Sequence, residues 1–221
     1  MPDIAAFDFD GTLTDGGSVF AFLQAVAGRG AVTAAAASLS PALARAALVG
    51  GTAADDTKER LFRRVLAGVD AQRIDAVGRQ FAGDHLARHL RDDVRQRLAW
   101  HRRRGDRVVI VSASPEVYIT HVGHLLEVDH VLGTRLAVED GRLTGRYEGR
   151  NCRGEEKLNR LRAWIDGIDE PDARLWAYGN SRGDLRMLAA ADIGVYVGKL
   201  GALGRLRAYP GLDGTRSTPA G

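Results

Sequence analysis

The chain has 221 residues, 45% hydrophobic and 27% charged, with a formal net charge of +3. That composition is ordinary for a globular protein, and the length suffices for one large domain or for a core with a smaller insert. A single cysteine, Cys152, excludes an internal disulfide framework and fits a reducing compartment, and no apolar run reaches the roughly 20 residues of a membrane-spanning helix.

Strand-like runs appear at "DIAAFDFD" (3–10), "RVVIVSAS" (107–114), "RLWAYGN" (174–180) and "DIGVYVG" (192–198), with a shorter one near 130–136. "RLAVEDGRLTGRY" (135–147) carries the Asp-Gly turn of a β-hairpin. Helical patterns fall between the strands at Asp93 to Arg104, Pro115 to Leu126, Glu155 to Ile165 and Asp184 to Ala190. This alternation predicts an α/β fold, a Rossmann-like, doubly wound and mostly parallel sheet. An Ala-rich insert, about residues 16–90, breaks the rhythm. Its patterns at Val19 to Ala27, Pro41 to Leu48, Ala54 to Leu66 and Ala71 to Leu90 predict a small helical domain between segments 1–15 and 91–204 of the core. The tail, 205–221, is rich in Gly, Pro and polar residues and is expected to be loose.

Several conspicuous residues read as structural. Arg102, Arg103 and Arg104 close a predicted helix, where cations complement the dipole, and no basic stripe interleaved with aromatics suggests nucleic acid. His85 and His89, and His121 and His124, share helix faces but lack an evident third metal ligand. The Val19, Phe20, Phe22, Leu23 stripe reads as packing, and Cys152 as a loop or packing residue.

Ligands of open α/β sheets bind beyond the carboxyl ends of the parallel strands. Polar groups cluster there: Asp8 and Asp10, then Ser112 and Ser114, then Asn180 and Asp184, while Lys157 opens a helix and supplies a cation. The segments "DFDGTLT" (8–14), "VVIVSAS" (108–114), "CRGEEK" (152–157) and "YGNSRGDLRML" (178–188) resemble, in order and spacing, the haloacid-dehalogenase-like phosphohydrolases of the branch that includes phosphoserine phosphatase.

The resemblance implies a magnesium-dependent phosphomonoester hydrolase acting through an aspartyl-phosphate on a small phosphorylated substrate, in the cytoplasm. Asp8 would be the nucleophile and Asp10 the general acid and base. Ser112, the backbone N–H of Ala113 and Lys157 would neutralise phosphate charge, and Gly11 would let the backbone approach it. Magnesium would be held by Asp8, Asp10 through its carbonyl, Asn180 and Asp184; Asn180 departs from the usual aspartate and removes one negative charge. The insert matches the position of the branch's cap, a lid that excludes water and selects substrate. On it Lys58, Arg63 and Arg64 could meet a second anionic group, or simply be solvated. Phosphoserine enzymes place an acid for the substrate amine soon after the first motif; here Gly16, Gly17 and Ser18 follow it, with Asp15 the one nearby acid, so phosphoserine is open but not favoured. The same residues would serve a phosphotransferase, and a binding protein with weakened catalysis is the rival from another class.

Overall fold

The computed structural model describes residues 2–49, 51–168, 170, 172–198 and 209–212. Its strands are β1 (Ile4–Phe7), β2 (Arg107–Pro115), β3 (His130–Thr134), β4 (Leu136–Glu139), β5 (Arg142–Tyr147), β6 (Leu175–Gly179) and β7 (Ile193–Tyr196). Five of them form a wholly parallel sheet in the order β3-β2-β1-β6-β7, while β4 and β5 make the expected antiparallel hairpin around Asp140 and Gly141.

Side chains of successive strand residues leave opposite faces, and the core divides accordingly. Ile4 and Ala6 join Val109, Val111, Ala177, Leu161, Met187 and Leu188 on one face. Ala5 and Phe7 join Val108, Ile110, Trp176, Tyr178 and Val195 on the other. Both faces are therefore buried, which is why the strands read as continuous apolar runs.

Five helices fill the insert: α1 (Val19–Ala27), α2 (Arg29–Ser38), α3 (Ser40–Val49), α4 (Gly51–Leu66) and α5 (Ala71–His89). The core adds α6 (Asp92–Arg104), α7 (Glu116–Leu126), α8 (Glu155–Ile165) and α9 (Leu185–Ala190). Helix α2 has no counterpart among the predicted elements. Its sequence buries only Val32, so no apolar stripe marks it. The linkers to and from the insert run side by side: Asp15 N donates to the His89 carbonyl at 2.8 Å and Arg91 N to that of Leu13 at 2.9 Å. The β4–β5 hairpin ties insert to core from another direction, because Leu143 exchanges backbone hydrogen bonds with Gly68 and Val69, each at 2.8 Å. Of the tail, residues 209–212 pair against β7, with Tyr196 N donating to the Pro210 carbonyl at 2.9 Å. The rest of that segment, apart from these four, lies outside the described residues.

A buried polar knot anchors α6 to the sheet. His101 and Asp106 approach at 2.7 Å through Nδ1 and Oδ2, and His101 Nε2 lies 2.8 Å from the Tyr178 hydroxyl. A carboxylate only accepts, so Nδ1 carries the proton and Nε2 accepts from Tyr178. Arg104 reaches both Asp106 and Asp3, each at 3.0 Å, and Trp176 Nε1 donates to Asp3 at 3.0 Å. The arginine run at the helix end is thus partly committed to ion pairs; Arg102 pairs with Glu127.

Burial pushes the His101 imidazole down to about 4, more than the Asp106 carboxylate can raise it. Its folded value is below the unfolded one, so the stabilisation from neutral His101 is complete above about pH 6.5 and is lost as pH falls toward 4. Urea unfolding between those limits should show stability decreasing by at most roughly 3 kcal/mol on acidification. The His101→Gln variant should flatten that slope; an unchanged slope would remove His101 as its source.

Candidate active site

Strand β1 ends at Phe7, shorter than the predicted run through both aspartates. Asp8 still extends the ladder, its N–H donating to the Tyr178 carbonyl at 2.9 Å. The chain then turns at Gly11, φ +79°, and the N–H groups of Thr12 and Thr14 both return to the Phe9 carbonyl at 3.1 Å. Phe7 and Phe9 both enter the same apolar cluster, so the aspartates between and after them are left for the polar side. A Cβ on residue 11 would stand 1.9 Å from Asn180 Nδ2, so the turn is compatible with Asn180 only as glycine.

Lys157, 2% exposed on the first turn of α8, bridges two carboxylates: Nζ donates to Asp8 Oδ1 at 2.7 Å and to Asp184 Oδ1 at 2.5 Å. Thr12 Oγ1 donates to the other Asp8 oxygen at 2.9 Å. Asp184 Oδ2 accepts from Asn180 N at 3.2 Å, Ser181 N at 2.9 Å and Ser181 Oγ at 2.7 Å. Both oxygens of Asp184 are therefore taken by protein donors. Expected among the metal ligands, Asp184 holds Lys157 and the turn that presents Asn180.

Asp10 is gripped by the insert and the core together. Its Oδ1 accepts from Ser18 N at 2.7 Å and its Oδ2 from Ser114 Oγ at 2.5 Å. Ser18 Oγ and the Tyr118 hydroxyl lie 2.6 Å apart behind them. Ser112 Oγ accepts from Ser114 N at 3.0 Å, and both serines are fully buried. The β2 strand end thus presents Ser112 and Ala113 beside the two aspartates.

Lys58 comes from α4. Its Nζ donates to the Ala113 carbonyl at 2.5 Å and to Asn151 Oδ1 at 3.1 Å, both neutral acceptors. Burial lowers its pKa to about 8, against the pull of Asp10 and Asp55. Asn151 is held in turn by Thr134 Oγ1 at 2.8 Å and donates to Asp55 at 2.6 Å. Arg63 and Arg64, grouped with Lys58 in the sequence, lie exposed on another face of α4.

The nine expected site residues, Asp8, Asp10, Gly11, Lys58, Ser112, Ala113, Lys157, Asn180 and Asp184, form one connected cluster. The sequence reading missed Thr12, Ser18 and Asn151 as members. Thr12 lies inside the first motif and Ser18 four residues past it, and no spacing rule separates them from turn residues; Asn151 stands one place before the third motif. Cys152 is fully buried, its thiol pushed up to about 11 by burial, and it packs rather than reacts. Among the described residues, no group of three His, Cys, Asp or Glu side chains is placed to hold a metal, and the two histidine pairs remain helix residues.

The electrostatics leave one positive charge short. Burial, then the neighbouring Asp184 carboxylate, push Asp8 up to about 7, outweighing the Lys157 ammonium bonded to it. Lys157 in turn holds Asp184 below its ordinary value despite burial. One ammonium serves two carboxylates, and Asp184 receives more donors. Beside them Asn180 Oδ1 is buried with no hydrogen-bond partner among the described residues. A carboxylate, an orphaned amide oxygen and a deficit of positive charge are hard-donor chemistry that fits a divalent cation such as magnesium.

A family model described as haloacid dehalogenase-like hydrolase matches residues 5–189. The chain is a haloacid dehalogenase-like hydrolase. It is 38% identical to protein CicA of Caulobacter vibrioides over 193 residues, 86% of this chain and 84% of that one. It is 28% identical to the histidinol-phosphatase of Neisseria meningitidis over 192 residues, 85% and 86% of the two chains. The structure of a substrate-bound phosphoserine phosphatase superposes with a TM-score of 0.61 at 18% identity, covering 89% of this hydrolase and 86% of that chain. The family makes the chain a hydrolase, and relatives named as phosphatases support phosphomonoester hydrolysis. Among the described residues, no helix is long and apolar enough to cross a membrane.

The double grip of Lys157 gives a stability prediction. Asp184→Asn leaves a buried ammonium with one carboxylate and turns an acceptor into a donor, which should lower the unfolding free energy by about 3 kcal/mol. Urea titration of the variant checks this, and a loss below a few tenths would show that Asp184 does not hold the site together.

Proposed function

We propose that this phosphatase is magnesium-dependent and works through an aspartyl-phosphate on Asp8, with a small phosphorylated metabolite as substrate. The observation that carries the reading is the buried Lys157 bridge between Asp8 and Asp184, set against Asp10 and the Ser112 hydroxyl.

The steps follow from atoms that this chain supplies. Thr12 and Lys157 fix the Asp8 carboxylate from both oxygens, so its attacking lone pair is oriented before substrate arrives. Asp8 oxygen bonds to phosphorus, the bond from phosphorus to the leaving oxygen breaks, and that oxygen takes the proton of Asp10. Water then attacks phosphorus, the Asp8–phosphorus bond breaks, and Asp10 takes the proton of the water. Ser18 N and Ser114 Oγ keep Asp10 in place between the two steps. The Ser112 hydroxyl, the Ala113 N–H and Lys157 meet the charge of the equatorial oxygens. Magnesium, when bound, neutralises phosphate and nucleophile charge, and the Asp8 carboxylate, the Asp10 carbonyl and Asn180 Oδ1 are the groups that would hold it.

Helices α1–α5 act as the cap, with the paired linkers at 13–15 and 89–91 as its hinge. Lys58 brings a cation from that cap to the strand-end carbonyl of Ala113, and its neutral partners leave its charge available to the phosphoryl group. Phosphoserine is disfavoured as substrate: Gly16 and Gly17 offer no side-chain acid, Ser18 is engaged with Asp10, and Asp15 is exposed at the hinge.

Hydrolysis of para-nitrophenyl phosphate with magnesium is the direct test. Asp8→Asn should lower kcat at least about a thousandfold while the folded state persists by circular dichroism. Retained turnover would exclude Asp8 as nucleophile. A companion variant addresses the metal: Asn180→Asp restores a negative charge, so half-maximal rate should need several-fold less magnesium. An unchanged requirement would take Asn180 out of the metal shell.

A further inference from the structure

Arg60, Arg63 and Arg64 lie about 140° to 240° round α4 from Lys58, so they leave the helix away from the catalytic cluster. Strand β5 brings a fourth guanidinium beside them. Its approach depends on Gly145, φ +73°: a Cβ there would stand 2.5 Å from Cα of Arg63 and 2.8 Å from the Phe62 carbonyl oxygen. The result is a cleft of about 500 Å³, lined by Arg60, Arg63, Arg64, Ala67, Thr144 and Arg146.

Four guanidinium groups share this cleft, and none of its lining residues is acidic. Arg64 donates to Ser38 Oγ, while the side chains of Arg60, Arg63 and Arg146 make no hydrogen bond or ion pair with any described residue. Asp56, one turn before Arg60, lines a different cleft, beside Asn151 and Arg153. Like charges three and four residues apart on a helix repel, so this face gains from a counter-anion. The planar guanidinium fork is matched to phosphate oxygens, which several arginines can grip together.

We propose that the cleft binds a compact oligophosphate, an anion with two or more linked phosphate groups, which bridges cap helix α4 to the core hairpin. A single phosphate is small for a cavity that four guanidinium groups share. Nucleic acid calls for an extended basic track with stacking aromatics, and a membrane surface for adjacent apolar anchors. The lining residues are four arginines, an alanine and a threonine, and they offer neither. The proposal is independent of the catalytic assignment, because Lys58 and the arginines leave α4 on different faces.

Calorimetric titration of tripolyphosphate into the full chain tests this. Saturable binding should appear, weakening as salt rises. If the anion bridges, Arg63→Gln on the helix and Arg146→Gln on the strand should each weaken it about tenfold or more. Both substitutions are on exposed side chains. Inorganic phosphate should inhibit aryl phosphate hydrolysis in each variant as in the parent, which shows the catalytic site intact. Absence of tripolyphosphate binding, or equal binding by parent and variants, overturns the proposal. So does tight binding of phosphatidylglycerol vesicles or duplex DNA through these arginines that tripolyphosphate fails to displace.

Discussion

Lys157 is buried with two carboxylates on its one ammonium, and the rest of the catalytic face is arranged around that imbalance. An isolated buried charge is prohibitive, so each member persists only because the others are present. Asp184 takes the larger share, because Ser181 and two backbone N–H groups also donate to it. Asp8 is left under-compensated in a dry site, held on both oxygens and aimed at the space beyond the strand ends. For the proposed nucleophile, which must attack an anion, that arrangement is useful: it is oriented at no cost during the reaction, and a bound divalent cation would supply the missing positive charge.

The helical insert is coupled to this centre by hydrogen bonds rather than by apolar packing alone. Ser18 N reaches Asp10, Lys58 reaches Ala113, and Asp55 reaches Asn151. Each crosses from the insert to a strand end or to the residue just before the third motif. If the insert opens as the proposed cap, these contacts break and the site is exposed to water. Helix α4 thus works on two faces, one carrying Lys58 to the site and the other presenting arginines beside β5. The hairpin lies against that helix only because Gly145 has no Cβ to obstruct it.

Much of this was legible before any coordinates. Strands β1, β2, β6 and β7 announce themselves by apolar runs because a parallel sheet buried on both faces has no polar side to show. Asp8, Asp10, Ser112 and Lys157 were recoverable because they end those runs or sit at fixed offsets from them. Helix α2 was not, since an Ala-rich segment that buries one valine leaves no periodic signal. The partners of Asp184 are hidden for a related reason: a carboxylate looks the same in a sequence whether it accepts from lysine and serine or coordinates a cation. Asn151 gains its role only from Lys58 and Asp55, 93 and 96 residues away.

The sequence alone determined the fold class and the place of the Asp8 and Asp10 pair at a strand end, because local hydrophobic period and short motifs are properties of neighbouring residues. Tertiary structure decided which oxygens are saturated and which are free. Asp184 is occupied and Asn180 Oδ1 is orphaned, a distinction set by donors arriving from α8 and the 181–184 turn. It likewise decided that Lys58 faces inward and Arg63 and Arg64 do not, since helix phase means nothing until the partner surface is in place.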